Sequence, residues 1–330
     1  MKIESFRLKL LNILKIYDIK LMIENAIKNK IIDKAYELGF QKIGFANADF
    51  YSEDRENIYK WIENNYHAEM EWINKRKEER TNIFEYFPEV QTVISFGYNY
   101  YTGKGSSEIS EDYKFSNYAW GDDYHIIIKK YLFNMIEFMQ SILGEFKYRV
   151  CVDTSPVMEK KWAMRSGIGW IGKNTNLITR DYGSWLFLGE ILIDKKVEPD
   201  QFFDNDLCGT CTACIDDCPT EALIEPYILD SSKCISYLTI EHRGKIPNDK
   251  ADKIDNWIYG CDVCQEVCPW NIKFANKTED LHFYPRSQIK ERNKIEDWNI
   301  NRQEFNKIFK KSPVKRTKYE GFKRNVEMVK

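Results

Sequence analysis

Cys208-Gly-Thr-Cys211-Thr-Ala-Cys214-Ile-Asp-Asp-Cys218-Pro219 decides how this chain must be read. Three cysteines at two-residue gaps can wrap three corners of a cuboidal iron–sulfur cluster within one loop. The fourth, beyond a turn and followed by proline, points away to a neighbouring cluster. A single tetrahedral zinc needs only four thiolates and leaves this pattern unexplained. Downstream, Cys261-x2-Cys264-x3-Cys268-Pro269 repeats the motif one cysteine short, and Cys234 lies between the two groups as a detached candidate. Eight ligands assign Cys208, Cys211, Cys214 and the crossing Cys268 to cluster one, and Cys218, Cys234, Cys261 and Cys264 to cluster two. The ninth cysteine, Cys151, lies in an apolar run and reads as a buried, inert thiol.

Such thiols need a reducing compartment. The first residues, MKIESFRLKLLNILKIYDIKLM, break every apolar run with a charge too soon for a signal peptide, and no stretch approaches a membrane span. The expectation is a cytoplasmic protein without a membrane partner, for which a monomer is the simplest state. The 330 residues are 43% hydrophobic and 30% charged, which excludes disorder as the main state; 9 Trp, 20 Tyr and 19 Phe suit a large pocket or a surface that stacks on flat ligands. A net charge of −2 hides an asymmetry, because residues 286–330 carry +8 and the remainder −10. Within Lys310–Arg324 the basic residues interleave with Tyr319 and Phe322, a pattern that suits a polyanion contact and equally a solvated tail.

Upstream of the cysteines the pattern changes to alternating elements. Ile23, Ala26, Ile27, Ile31, Ala35 and Leu38 share a helical face, closed by Gly39, before an apolar run at Lys42–Ala46. Further strands are expected at Thr92–Tyr98, Lys147–Asp153 and Trp185–Ile193, with helices at Ile58–Tyr66, Tyr124–Leu143 and Pro156–Ser166. The fold class is therefore α/β or α+β, with a boundary near residues 198–206. Gly167-Ile-Gly169-Trp-Ile-Gly172-Lys-Asn174 imitates two nucleotide fingerprints, but a helical stretch rather than a strand precedes it and Asn174 replaces the magnesium-binding Ser or Thr; a tight turn is the alternative. Ser155 and Pro156 are expected to cap the following helix, leaving Asp153 at a strand end where such sheets place ligands. His67, His125, His242 and His282 are dispersed and read as structural.

The segments Asp153–Pro156 through Arg165, Gly167–Asn174, Gly183-Ser-Trp185, Tyr118–Gly121 with Asp123-Tyr-His125, Cys234–Glu241, Gly260-Cys-Asp262, the eight cysteines and the tail Ser312–Asn325 together resemble the epoxyqueuosine reductase family over about residues 30–330. The resemblance implies a nitroreductase-like α/β domain that binds cobalamin, followed by a ferredoxin-like double [4Fe-4S] domain, and a reaction that reduces epoxyqueuosine to queuosine in a tRNA anticodon loop. It implies that Asp153 is the proton donor and that electrons reach the corrin from cluster one by way of cluster two. A low-potential donor such as ferredoxin or flavodoxin would supply them. Burial beside the corrin is expected to keep Asp153 protonated near neutrality. Arg76, Asn174, Ser236, Arg243 and Asp262 lie in segments the family uses for corrin contacts, and no D-x-H-x-x-G cobalamin motif occurs.

The resulting division is an N-terminal extension over 1–28, a cobalamin-binding catalytic domain over 29–199, the cluster domain over 200–275 and a basic candidate tRNA contact over 276–330. Some family members add a C-terminal helical-repeat domain, for which this chain is too short. Two other readings fit the same motifs: a reductive dehalogenase-like enzyme, and an electron carrier without chemistry of its own.

Overall fold

The computed structural model describes residue 22 and residues 24–329, so most of the expected N-terminal extension lies outside the described residues. Helix α1 already runs over residues 24–37, and Lys28 pairs with Asp200 at 2.6 Å. The expected break at residue 28 therefore cuts through a helix, because the apolar face that buries Ile31 and Ala35 starts earlier.

Strand β1 (Lys42–Asn47) is followed by α2 (Ser52–Glu63), β2 (Thr92–Asn99), α3 (Tyr124–Leu143), β3 (Tyr148–Cys151), α4 (Glu159–Arg165) and β4 (Leu186–Ile193). The four strands form one sheet in the order β1-β2-β4-β3, antiparallel at every pairing. Strand periodicity carries no direction, so this pairing was invisible in the sequence; it places the chain on the α+β side of the expected class. It also removes the strand-end argument for Asp153, which belongs to parallel sheets.

Each face of the sheet carries helices. Phe45, Ile94, Phe96, Ile191 and Ile193 pack with Ile31 and Ala35 of α1 and with Ile128, Leu132 and Met135 of α3. Gly189 permits this approach, since a Cβ there would stand 2.9 Å from the Leu132 side chain. On the other face Val93, Cys151 and Leu192 meet Trp162 of α4. There a Cβ on Gly44 would overlap the Ser166 carbonyl just past the end of α4. Arg165 of α4 and Asp54 of α2, both buried, pair at 2.5 Å and tie the helices together.

Asp123 caps α3, its carboxylate accepting from the His125 N–H, and Gly144 ends it. By contrast, α4 starts at Glu159 rather than at Pro156, so Ser155 is not a cap. Residues 153–157 form a turn instead, with Asp153 in the left-handed region at φ +59° and the Thr154 N–H donating to the Val152 carbonyl at 2.6 Å. The glycine motif is a hairpin, Trp170–Ile171 pairing with Leu177–Ile178, and not a phosphate loop.

Residues 200–275 contain short elements: Ala213–Asp216, Ile235–Ile240, Val263–Glu266 and Pro269–Phe274 are helices of four to six residues. Two further helices, α5 (Arg302–Ile308) and α6 (Lys318–Val329), follow in the basic segment. This segment is no solvated tail. Trp298, Phe305, Phe309, Phe322 and Val326 form a core with Tyr113, Phe115, Trp120 and Tyr259. Phe322 is fully buried because Phe322 and Val326 lie one turn apart on the inner face of α6, a stripe masked in the sequence by the surrounding lysines.

Candidate active site

Between the sheet and the cysteine-rich region lies a cavity of about 1270 Å³. One wall carries Asp153, His125, Glu159 and Lys160; the opposite wall carries Cys218, Cys234, Cys261 and Cys264. These four are the thiols assigned to cluster two. Cys264 feels the charges of Cys234, Cys218 and Cys214, and Cys261 those of Cys264 and Cys234. Cys214 feels those of Cys208, Cys268 and Cys211, and Cys268 those of Cys208 and Cys211. Thiols of both motifs therefore lie near one another, with Cys218, Cys234, Cys261 and Cys264 facing the cavity. Cys151 stands apart, fully buried, with its thiol pushed up to about 12 by burial.

Asp153 is held at the cavity wall from two sides. Its N–H donates to Glu159 Oε1 at 2.5 Å, and its Oδ2 lies 3.1 Å from His125 Nε2. The other imidazole nitrogen, Nδ1, lies 2.7 Å from Asp123 Oδ1. An imidazole with a carboxylate at each nitrogen is held in its doubly protonated form. Burial alone lowers the His125 value, yet hydrogen bonds to Asp123 and Asp153 raise it to about 9. Burial likewise pushes Asp153 up, but the hydrogen bond and charge of His125 outweigh it and hold the carboxyl below its ordinary value. The expectation of a protonated Asp153 is thus corrected for the protein's own groups: the proton rests on His125. The side chain of Asp153 is 61% exposed, reachable by water and ligand through the open cavity.

Of the expected corrin contacts, Arg76, Asn174, Ser236 and Asp262 line the cavity. Asn174 donates to the Cys264 carbonyl at 3.1 Å and so ties the glycine hairpin to cluster two. Asp262 is fully buried and accepts from Ser116 Oγ at 2.7 Å, the Asn117 N–H at 2.6 Å and Gln265 Nε2 at 3.0 Å, which makes it a clamp between the thiol loop and residues 116–117. Arg243 is not brought to the cavity: its guanidinium donates to the carbonyls of Ile240, Arg316 and Thr317. Two other basic residues are also absorbed by the fold. Arg316 forms a two-pronged pair with Glu241 at 2.8 and 2.9 Å, and Arg324 donates to the carbonyls of Leu238, His242 and Gly244. Lys310, Lys315, Lys318 and Lys323 remain exposed, with Lys315 at the cavity.

Sequence reasoning missed His125 and Glu159. The pair Asp123-x-His125 at a helix start was the available signal for the first.

The cavity, two thiol sets and an acid–imidazole pair facing one of them define an iron–sulfur oxidoreductase with a bay for a large ligand. Residues 207–271 match the family described as 4Fe-4S double cluster binding domain, and residues 80–154 match epoxyqueuosine reductase QueG, DUF1730. The chain is 44% identical to an epoxyqueuosine reductase of Leadbetterella byssophila over 90% of its own length and 96% of the relative's. A crystal structure of epoxyqueuosine reductase with an epoxyqueuosine-modified tRNA-Tyr stem loop superposes with a TM-score of 0.83 at 28% identity, covering 93% of this chain and 81% of that one. A Bacillus subtilis epoxyqueuosine reductase, described with its catalytic aspartate loop swung out of the active site, gives 0.83 at 27% identity, with 93% and 81% covered. The chain belongs to the epoxyqueuosine reductase family, whose activity is that of an oxidoreductase.

Proposed function

We propose that this chain reduces epoxyqueuosine to queuosine in a tRNA anticodon loop, with a corrin in the cavity and Asp153 as proton donor. The observation that carries the reading is the opposition of Asp153 and His125 to Cys218, Cys234, Cys261 and Cys264 across one cavity. The donor chemistry fits the groups required: thiolates in two sets suit paired [4Fe-4S] clusters, and the bay is large and lined by both aromatic and polar side chains. When bound, cobalamin supplies the low-potential reducing centre, and the clusters supply its electrons singly.

The chain's own part is positional and acid–base. Tyr100 and Tyr118 line the cavity, and burial raises both phenols well above their ordinary value, so they stay neutral and narrow the site against water. Asp153 takes its proton from His125 Nε2 across the 3.1 Å hydrogen bond and offers it to the departing oxygen, while Asp123 keeps the imidazole oriented. Lys129, Lys315 and exposed Trp72, over which the Arg80 guanidinium sits at 5.7 Å, are suited to phosphates and splayed bases of an RNA loop. Among the described residues no helix is long and apolar enough to cross a membrane, and a cytoplasmic, monomeric enzyme served by ferredoxin or flavodoxin fits the thiols' need for reduction.

In functional terms, the sheet and its helices up to residue 199 carry the corrin and the acid, 200–275 the clusters, and 276–330 Lys315 at the cavity. The test is anaerobic turnover of epoxyqueuosine-containing tRNA by cluster-reconstituted protein with a low-potential reductant, with and without cobalamin, scored by nucleoside mass spectrometry. Loss of one oxygen only with cobalamin present supports the reading; corrin binding without conversion overturns it in favour of another substrate.

A further inference from the structure

The glycine hairpin that imitates a nucleotide fingerprint carries Lys173 and Asn174, and these two side chains reach the two cysteine motifs. Asn174 donates to the Cys264 carbonyl, while Lys173 Nζ donates to the carbonyls of Gly209 at 2.6 Å and Cys211 at 3.0 Å. The lysine is thus bonded inside the first cysteine loop. A closed ring of hydrogen bonds fixes it there. The Lys173 carbonyl accepts from the Tyr227 N–H at 3.1 Å, the Tyr227 hydroxyl donates to Asp206 Oδ2 at 2.6 Å, and Asp206 Oδ1 accepts from the Cys208 N–H at 2.8 Å. The glycines allow the turn that aims the lysine, since a Cβ on Gly169 would overlap the Ile178 carbonyl and one on Gly172 the Ile178 side chain.

Charge sets this side chain apart. Residues 200–225 contain seven Asp or Glu and no Lys or Arg. Among the described residues, Lys173 is the one cationic side chain that hydrogen-bonds to residues 208–218, while Arg180 sits over the Phe203 ring at 5.5 Å. A cluster held by thiolates gains one more negative charge with each electron it accepts. A fixed ammonium beside its ligand loop therefore favours the reduced form, and the surrounding acids oppose it.

We propose that Lys173 sets the reduction potential of the cluster bound by the first cysteine motif, holding it high enough to be filled by a low-potential one-electron donor. The inference rests on Cys208, Cys211 and Cys214 being ligands of that cluster. Each transfer oxidises the donor by one electron and adds one to the cluster, and two transfers match the two electrons that removal of an epoxide oxygen consumes. Lys173 does not line the cavity, so it is a positioning residue that acts on electron delivery and not on the acid–base step.

A redox titration of the full-length, cluster-loaded protein without corrin or tRNA, followed by electron paramagnetic resonance, tests the inference. In Lys173→Met the ratio of reduced to oxidised first cluster at a fixed potential is expected to fall about tenfold, a lowering of about 59 mV for one electron, with a smaller change in the second cluster. Lys173→Arg keeps the charge and is expected to stay near the unsubstituted protein. An unmoved potential in Lys173→Met, or equal falls in Lys173→Met and Lys173→Arg, overturns the inference. Lys173→Gln is read in the same way where Lys173→Met loses iron; loss of iron from both makes the lysine a brace for the loop and also overturns it.

Cys211→Ala separates this inference from the ligand reading beneath it. It is expected to remove one of the two cluster signals, the one that moves in Lys173→Met. Persistence of both signals in Cys211→Ala removes the ligand assignment and this inference with it. Loss of one signal, together with an unmoved potential in Lys173→Met, overturns this inference alone. Neither result depends on the substrate, so failure of epoxyqueuosine turnover is a separate outcome.

Discussion

The sheet unit and the cysteine-rich unit face each other across one cavity and are held together by different means. Ile94, Phe96, Leu132, Ile191 and their neighbours make a continuous apolar core beneath a sheet whose strand β2 is buried at every position. Residues 200–275 have helices of at most six residues, and their main apolar cluster is the small group Ile235, Tyr237, Leu238, Ile246, Ile254 and Trp257, while Ile258 and Tyr259 pack into the core of the basic segment. The first folds by removing apolar surface from water. The second is too poor in such surface to do the same and depends on inorganic cross-links, as small metal-organised domains do.

The sharpest way to break this comparison is to remove the iron. Chelation under anaerobic conditions should bring amide exchange in residues 200–275 to near that of an unfolded chain while β2 and β4 stay protected; equal loss in both units would show that the sheet is not self-sufficient. Next in size is Asp153→Asn, which should lower turnover about 10²–10⁴-fold. The iron–sulfur absorption should stay unchanged, because the substituted group belongs to the opposite wall. Phe322→Ala should destabilise the protein by about 3–5 kcal/mol in chemical denaturation, as expected for a fully buried ring; a negligible effect would return the basic segment to the status of a tail.

His125→Gln sharpens the electrostatic side. The folded value of His125 is raised to about 9, so its stabilisation is complete below the unfolded value near 6.5 and is lost as pH rises through about 9. Asp153 is lowered, so its share is present above its unfolded value and is lost as pH falls. The full shift overstates the gain because Asp153 is mostly exposed. About 1–2 kcal/mol at pH 7 is expected after allowing for solvent screening, with the difference from the unsubstituted protein vanishing near pH 10. The smallest effect is expected from Lys315→Glu with Lys318→Glu, which should weaken tRNA binding and reduce its salt slope by about 1–2. Arg316 and Arg324 are unsuitable for this purpose, since reversing them breaks Glu241 and carbonyl contacts within the fold.

What could be read in advance followed the same division. The cysteine spacing pointed to a double-cluster domain, in agreement with the family match over residues 207–271, because the geometry of a cuboidal cluster is encoded in gaps of two and three residues. Helix α3 ran over the expected Tyr124–Leu143, since an Asp cap, helical apolar spacing and a terminal glycine agree there. Strand direction, the turn at Asp153 and the meeting of His125 with Asp153 were not legible, because each depends on segments brought together only by the sheet. Ser155-Pro156 misled for a definite reason: the Glu159 carboxylate captures the Asp153 N–H and holds the chain out of the helix for one more turn.

The core shared by Tyr113, Phe115 and Trp120 with Phe322 and Val326 has a consequence for biosynthesis. At roughly 5–20 residues per second a ribosome needs on the order of 10–40 seconds to pass from the first group to the last. Throughout that interval the early aromatic rings have no permanent cover, and the entire thiol segment emerges before the core can close. All eight motif cysteines are thus synthesised before Phe322 and Val326, the residues that complete this core.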